Sequence, residues 1–558
     1  MCRLAGRRGR VHGLGTEERE LDGKGLEDER GVDEIGQPAT QEGAQAAGRV
    51  LPEEAHNEDG GHEVGAGDCW ASSTTPGRAE FRCEDCRFAV LCRHCVVREH
   101  LMTPFHRVEV RSSSNARFWE RVQCKSDIGI VVQLVHEVGD SCFRPHAVKN
   151  FSVIHTNGIH RMTVNFCRCQ LGVHLSDHTQ LMRARLWPAT FDEPETATTF
   201  EAMDDFNRLS MLGRLSAYDY YKAARACTDA VGLLKVSPLL KQFTRGAHQF
   251  RHIFLFKRAG RAYEGGIYSS PPGSCGIECP GCAREGVNVP EDYMDQPDSW
   301  TQDRAICVDA NFRLGNKMNR STDKTDPSLT EGRAYVVSSG EFKAFCDAMD
   351  KNKTKEKPSD CSRFGAMEFA NQKGGRYMRS TRVAGVFCAR HDMILPLAMG
   401  QLKVGERYSV IDFCVANAFR YISVDKVVLS YDIACQWSKN VVKRMKAVDP
   451  KFEGMYDGAQ TFLGKTLEYV VPKFHLFAHK VKCWFGQFNL AFLPGAGQMD
   501  GEGCERFWSG ANPAAGSVRE MGPGSIRDFF DSMWDSWNFQ KVCGMGSSTP
   551  SSSAVLCP

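Results

Sequence analysis

Apolar and polar positions follow two rhythms along this chain. The short β-rich runs GIVVQLVHEV (129–138), FSVIHTNG (151–158) and MTVNFC (162–167) read as strands, and the longer stretch 200–234 reads as helix. A Gly/Pro-rich segment, GGIYSSPPGSCGIECPGCAREG (265–286), reads as an ordered loop or a small metal knuckle. RAICVDANFRL (304–314) then reads as a strand. A polar, Lys-rich stretch (347–363) interrupts the pattern before RYSVIDFCVANAF (407–419), KVVLSYDIACQW (426–437) and TLEYVVPKFHLFAH (466–479). FFDSMWDSWNFQKV (529–542) predicts a late helix. Short apolar runs alternating with longer helical pieces predict a mixed α/β protein.

At 558 residues the chain has room for two to four domains of about 150 residues each. Residues 1–66 are acidic, Gly-rich and without an aromatic residue, too apolar-poor to offset chain entropy, and we expect disorder there. The remaining expectations are a zinc-binding module at 67–112, an α+β linking region with a CxxC knuckle at 113–300, a catalytic core at 301–542, and a low-complexity tail at 543–558. No run approaches the ~20 apolar residues of a membrane helix, and the N-terminus lacks the apolar stretch of a secretory signal. Net charge is +2, but residues 1–65 hold 15 acidic against 8 basic side chains and the remainder 62 basic against 53 acidic. A moderately basic body suits phosphate-backbone binding and is also common in proteins that bind no nucleic acid.

The chain holds 24 cysteines and 17 histidines. In a reducing compartment disulfides do not persist, so closely paired cysteines read as metal ligands. The spacing Cys83-x2-Cys86-x5-Cys92-x2-Cys95-x4-His100-x5-His106 supplies six candidates, and Cys69 and His94 would complete a second, crossed-brace site. This spacing is similar to B-box zinc fingers. So many polar residues with so few aliphatics need metal to fold. A thiolate-rich site of this kind is structural rather than catalytic, and no HExxH motif is present.

Three segments place carboxylates where two-metal chemistry needs them. Asp309 follows the strand RAICV, Asp432 follows KVVLSY, and GQMDGEGCERFW carries Asp500, Glu502 and Glu505 where a helix opens after a Gly-rich turn. Hard divalent cations take oxygen ligands, and a two-metal site needs carboxylates from separate elements to converge. The order strand-Asp, strand-Asp, helix-Glu fits an RNase H-like sheet. A strand-end Asp taken alone is more often a turn residue or helix N-cap.

The words around these acids carry a resemblance. VDANFRLGNKMNRSTDKTDPSLTEGRAY, VAGVFCARHDM, GERYSVIDF, SYDIACQW, VPKFHLFAH and DGEGCERFWSGANPAAGSVREMGPGSIRD resemble the Kyakuja–Dileera–Zisupton (KDZ) transposases, a eukaryotic, fungus-rich group. FRCEDCRFAVLCRHCVVREHLMTPFHRVEV resembles their associated cysteine-cluster domain, and the stretch from LMRARLWP to YYKA resembles their linking region. The resemblance spans roughly residues 69–542. It implies an RNase H-like core with insertions and a DDE-type cut-and-paste activity on transposon ends and target DNA. It further implies structural Zn2+, catalytic Mg2+ or Mn2+, and a nuclear location. Asp309 matches the family's DxNFRL aspartate, Asp432 that of SYDIACQW, and Glu502 or Glu505 the last acid of DGE-x-x-E. We favour Glu502, with Asp500 a bystander. Two departures stand out: Ser72 replaces the second cysteine of a knuckle opened by Cys69, and we expect further helical sequence after SWNFQKV, so the copy reads as truncated.

Cys279 and Cys282, with Cys275 nearby, form a second knuckle that needs a ligand from elsewhere. Cys167 and Cys169 are candidates to join Cys124, Cys142 or His174. Cys388 and His391 are candidates to join Cys361, His475 and His479, or to be core residues. Arg313, Lys317, Arg320 and Lys351 to Lys357 are candidate DNA contacts, or solvated loops. Trp437 and Trp508 either stack on an unpaired base or pack in the core. Partners expected are DNA, a second copy of the chain, and a chromatin or protein partner at the zinc module. Two other readings compete: a catalytically inactive DNA- or protein-binding relic, and a B-box-like scaffold in which 67–112 alone holds the partner.

Overall fold

In a computed structural model of the chain, residue 69 and residues 78–545 are described, apart from 87–89, 114–117, 231, 233, 235, 262, 264, 352–360, 362–376 and 403–407. The tail expected at 1–66, Ser72, Lys353, Lys355, Lys357 and residues 546–558 lie outside the described residues. Among the described residues no helix is long and apolar enough to cross a membrane.

The first module is small. Strands β1 (Phe81–Cys83), β2 (Val108–Arg111) and β3 (Trp119–Arg121) form an antiparallel sheet in that order, and helix α1 (Arg93–Glu99) packs with it. Its core is short: Phe81, Leu91, Val96, Val108, Ile128 and Ile130 beside buried cysteines. β3 extends this sheet to Arg121, and Ile128 and Ile130 join its core.

A second, five-stranded sheet follows, ordered β4-β6-β5-β8-β7. Its strands are β4 (Val131–Gln133), β5 (Pro145–His155), β6 (Gly158–Cys167), β7 (Leu186–Pro188) and β8 (Thr196–Thr199). The long β5–β6 hairpin matches the expected strands. Helices α2 (Asp177–Arg183), α3 (Phe200–Gly213), α4 (Ala217–Thr228) and α5 (Leu240–Arg258) cover it. The 200–234 stretch thus breaks into two helices. Thr199 caps α3 by accepting from the Ala202 amide, and Ser216 caps α4 by accepting from that of Asp219.

The third sheet is ordered β13-β12-β9-β14-β15. It is built from β9 (Arg304–Asn311), β12 (Arg382–Cys388), β13 (Ile394–Leu402), β14 (Lys426–Tyr431) and β15 (Thr466–Val470), with a side ribbon of β10 (Asn316–Lys317) and β11 (Met378–Ser380). β12 runs antiparallel to both β13 and β9, whereas β14 is parallel to β9 and β15 to β14. Both faces are covered, which is why β12 is buried at every position. Ile306, Val308, Ala310, Val427, Leu429 and Tyr431 face one side. There they meet α6 (Ser339–Lys351), α7 (Tyr408–Phe419), α8 (Ala434–Lys446) and α9 (Glu453–Leu463). Helix α7 is buried all round, so YSVIDFCVANAF carries no polar stripe. Ala305, Cys307 and Val428 face the other side, against helices after residue 500.

Candidate active site and cysteine–histidine clusters

Strand register brings the first two acids together. β9 and β14 are parallel, with Val308 opposite Tyr431, so the next step along both chains sets Asp309 beside Asp432. In a strand, alternate residues share a face. Asp309 follows Ala305 and Cys307, and Asp432 follows Val428, so both acids lie on the face covered by α12 (Gly503–Ala511) and α13 (Pro523–Met545). Glu502 occupies the N-cap position of α12 and is buried. The preceding turn presses on the sheet. Gly501 has φ +77°, and a Cβ there would stand 2.5 Å from the Ser430 hydroxyl. Only glycine enters that turn without strain or collision.

Two short helices between β15 and the acidic turn, α10 (Lys473–Leu476) and α11 (Val481–Trp484), supply what joins the acids. His475 Nε2 lies 3.4 Å from Asp432 Oδ2, and its Nδ1 lies 3.2 Å from Glu502 Oε1. The Phe474 amide donates to the same Glu502 oxygen at 3.0 Å. Burial works against an imidazolium here, but the hydrogen bond to Glu502 and the charges of Asp432, Glu502 and Asp309 outweigh it, raising the His475 pKa to about 9. His475 thus bridges Asp432 and Glu502, with Asp309 next to Asp432 on the neighbouring strand. Trp508 Nε1 donates to Asp309 Oδ2 at 2.8 Å.

Asp500 shapes the turn. Its carboxylate accepts from the Glu502 amide (2.9 Å) and from Arg506 (2.6 Å), and Arg506 also clamps Asp392 at 2.9 Å. Burial alone would raise its pKa, yet Arg506 and the Glu502 amide hold the carboxyl below its usual range. Glu505 is exposed on the first turn of α12. Trp437 and Trp508 are both buried, Trp437 donating to Asp412 at 2.8 Å, so core packing accounts for them and base stacking does not. Arg313, Lys317 and Arg320 are exposed beyond the end of β9, with Lys317 paired to Glu520 at 2.8 Å.

Among the described residues, four Cys/His sets offer four ligands each and a fifth offers three, the ligand atoms of each set within 4.8 Å of one another. The first is Cys83, Cys86, His100 and His106, with Cys86 Sγ 3.0 Å from His106 Nδ1 and 3.5 Å from His100 Nε2. The remaining His100 nitrogen faces the Val96 carbonyl at 2.7 Å, the support a ligating imidazole commonly has. The three-ligand set is Cys69, Cys92 and Cys95. These two sets alternate along the chain, as expected for a crossed brace. His94 takes no part: it is exposed on α1.

The other sets rearrange the expected partners. Cys167 and Cys169 join Cys142 and His136, with His136 Nε2 3.3 Å from Cys167 Sγ, and neither Cys124 nor His174 belongs to the set. Cys279 and Cys282 join Cys388 and His391: Cys282 and Cys388 sulfurs lie 3.2 Å apart, and His391 Nδ1 is 3.3 Å from Cys279. Arg304 is buried nearby with its Nε unpaired, a cation placed to offset thiolate charge. Cys275 is buried in the apolar core instead. Cys361 joins Cys435, His479 and Cys483. The grouping of Cys388, His391, Cys361, His475 and His479 into one site is therefore incorrect, because the fold sends these residues to three places. His136, Cys435, Cys483 and the bridging role of His475 were not anticipated. One signal was present: His479-x3-Cys483 is helical one-turn spacing.

Two family models match the chain. Residues 302–538 match the Kyakuja-Dileera-Zisupton transposase, and residues 126–232 match the CxC2 like cysteine cluster associated with KDZ transposases. The second match falls on the segment read as the linking region, not on the paired knuckles of 67–112. No curated protein and no solved structure matches the chain.

Proposed function

We propose that this chain, which carries a KDZ transposase domain and the cysteine cluster associated with it, cleaves DNA strands and transfers the freed ends. The observation that carries the proposal is the convergence of Asp309 and Asp432 on neighbouring strands with Glu502, which shares His475 with Asp432. The strand order, three antiparallel strands followed by two parallel ones, supports an RNase H-like core, as does the placement of acids on neighbouring strands and at a helix start. The donor set is oxygen only, which suits Mg2+ or Mn2+. Bound there, such ions would stabilise charge on the phosphate and acidify the attacking water or 3′-hydroxyl.

The protein's own residues do the positioning. Trp508 fixes the Asp309 carboxylate, while His475 holds Asp432 and Glu502 in register. Glu502 is our choice for the third acid, with exposed Glu505 its rival. Arg313 and Arg320 would meet the phosphate backbone near Asp309. The Cys/His sets hold structural zinc, and the module built on β1–β3 offers a surface for chromatin, protein or a second copy. DNA as substrate places the work in the nucleus.

One observation favours a catalytically inactive, DNA- or protein-binding alternative: the imidazolium already balances two of the carboxylates. A nicking assay on DNA bearing the element's ends decides. The enzyme reading expects Mg2+-dependent strand cleavage by the parent and none by Asp309→Ala or Asp432→Ala. A parent that binds this DNA without cutting it supports the inactive reading.

A further inference from the structure

The set formed by Cys361, Cys435, His479 and Cys483 adjoins Asp432. Cys361, Cys435 and Cys483 are almost fully buried and His479 nearly so. Cys361 Sγ lies 3.5 Å from Cys483 Sγ and 3.7 Å from His479 Nδ1, and Cys435 Sγ lies 3.5 Å from the same nitrogen. Donors 2.0–2.3 Å from a common tetrahedral centre stand about 3.3–3.8 Å apart, so these separations suit a closed zinc site. The surroundings fit as well. The Lys480 backbone amide donates to Cys361, the Gln436 side-chain Nε2 to Cys435 at 3.7 Å, and the Lys482 charge faces Cys361 and Cys483. Three thiolates and an imidazole around Zn2+ carry a net charge of −1, which Lys482 offsets.

We propose that these four residues bind a structural zinc ion that fixes the position of Asp432. Cys435 sits three residues beyond Asp432, on the first turn of α8. His479 and Cys483 flank the segment following His475. With Nδ1 turned to the sulfurs, the other His479 nitrogen donates to the backbone carbonyl of Asp432. One ion would thus fasten together α8, the α10–α11 segment and Cys361. His479 acts as a positioning residue, in the way second-shell groups orient metal ligands. The zinc site stands on its own geometry; its effect on Asp432 rests on the catalytic reading above.

Zinc content of the purified full chain tests the site. Cys361→Ser, His479→Gln and Cys483→Ser should each hold one zinc fewer per chain than the parent. Cys414→Ser, a buried cysteine of α7 outside every set, should match the parent. Unchanged zinc in the first three overturns the proposal. Should those variants fail to fold, thiol alkylation of the parent serves instead. Withdrawal of zinc by a chelator should expose Cys361, Cys435 and Cys483 to alkylation together, and labelling indifferent to zinc overturns the proposal. For the coupling, His479→Gln should raise the Mg2+ needed for half-maximal nicking on the order of tenfold. An unchanged Mg2+ requirement overturns it. Asp309→Asn should keep the full zinc count, so loss of cleavage and loss of zinc are separately read.

Discussion

His475 is the residue on which the acid cluster balances. Carboxylates brought together repel one another, and the half-buried His475 ring between Asp432 and Glu502, its pKa raised to about 9, offsets part of that repulsion. Glu502 shares this cation with Asp432, whereas Glu505 points into solvent. The two glutamates should therefore separate in activity: Glu502→Gln lowers nicking by more than about 100-fold, and Glu505→Gln leaves it within a few-fold. The opposite ranking would make Glu505 the third acid. Gly501 offers a second check. Alanine there adds strain at φ +77° and a Cβ 2.5 Å from Ser430 Oγ, at a cost of about 1–3 kcal/mol, read as a lowered melting temperature. The placement of the acids was legible because Asp309 and Asp432 follow recognisable apolar strand runs and Glu502 stands at a helix start. His475 was not, since its pairing with Asp432 and Glu502 depends on where the α10 turn crosses the sheet. Trp508 was legible as a neighbour of the third acid, but its role as a donor to Asp309 needed the helix direction.

Helix α13 shows what periodicity leaves unsaid. FFDSMWDSWNFQKV reads plainly as helix, yet Asp528, Asp531, Asp535 and Asn538 form a buried polar stripe along it. Asp528 accepts from the Leu329 and Thr330 amides and from His248, Asp531 from the Tyr335 and Val336 amides, and Asp535 from Arg258 on α5. The stripe ties the sheet's loops to the long helix of the preceding region. A sequence rule that buries apolar faces cannot foresee it, because the backbone amides it satisfies lie some 200 residues away, for example Tyr335 from Asp531 at a separation of 196. Burial dominates Asp535 and, despite Arg258, raises its pKa to about 6. The folded state then holds the proton more tightly than the unfolded chain, so stability falls as pH rises from about 4 through 6. Asp535→Asn removes this dependence. Relative to the parent it should gain about 1.4 kcal/mol between pH 5 and pH 7.5 in denaturant melts, roughly one pKa unit. Equal pH slopes for the two proteins would contradict the assignment.

At the scale of the whole chain, the mixed α/β character and the alternation of two Cys/His sets along the first module were legible, although His94 joins neither. The later Cys/His sets were legible only as knuckles without partners. Cys279 and Cys388 are 109 positions apart, and nothing local says that the end of β12 arrives beside the 279–282 turn. Cys361 reaches its partners from a Lys-rich insert whose composition suggests nothing but solvent. The metal sets punctuate every module, so chelation should loosen the β1–β3 module first, where the apolar core is smallest. Limited proteolysis during zinc withdrawal would show early cuts there, ahead of the sheet carrying β9 and β14. The claim beneath the whole account is that three carboxylates, far apart in sequence, form a single site for divalent cations. Titration of Mn2+ into the zinc-loaded full chain, followed by its electron paramagnetic resonance signal, measures this most directly. The parent should take up Mn2+ at a site that Asp309→Asn, Asp432→Asn and Glu502→Gln each weaken or abolish. Identical Mn2+ uptake by the parent and all three variants would contradict the account.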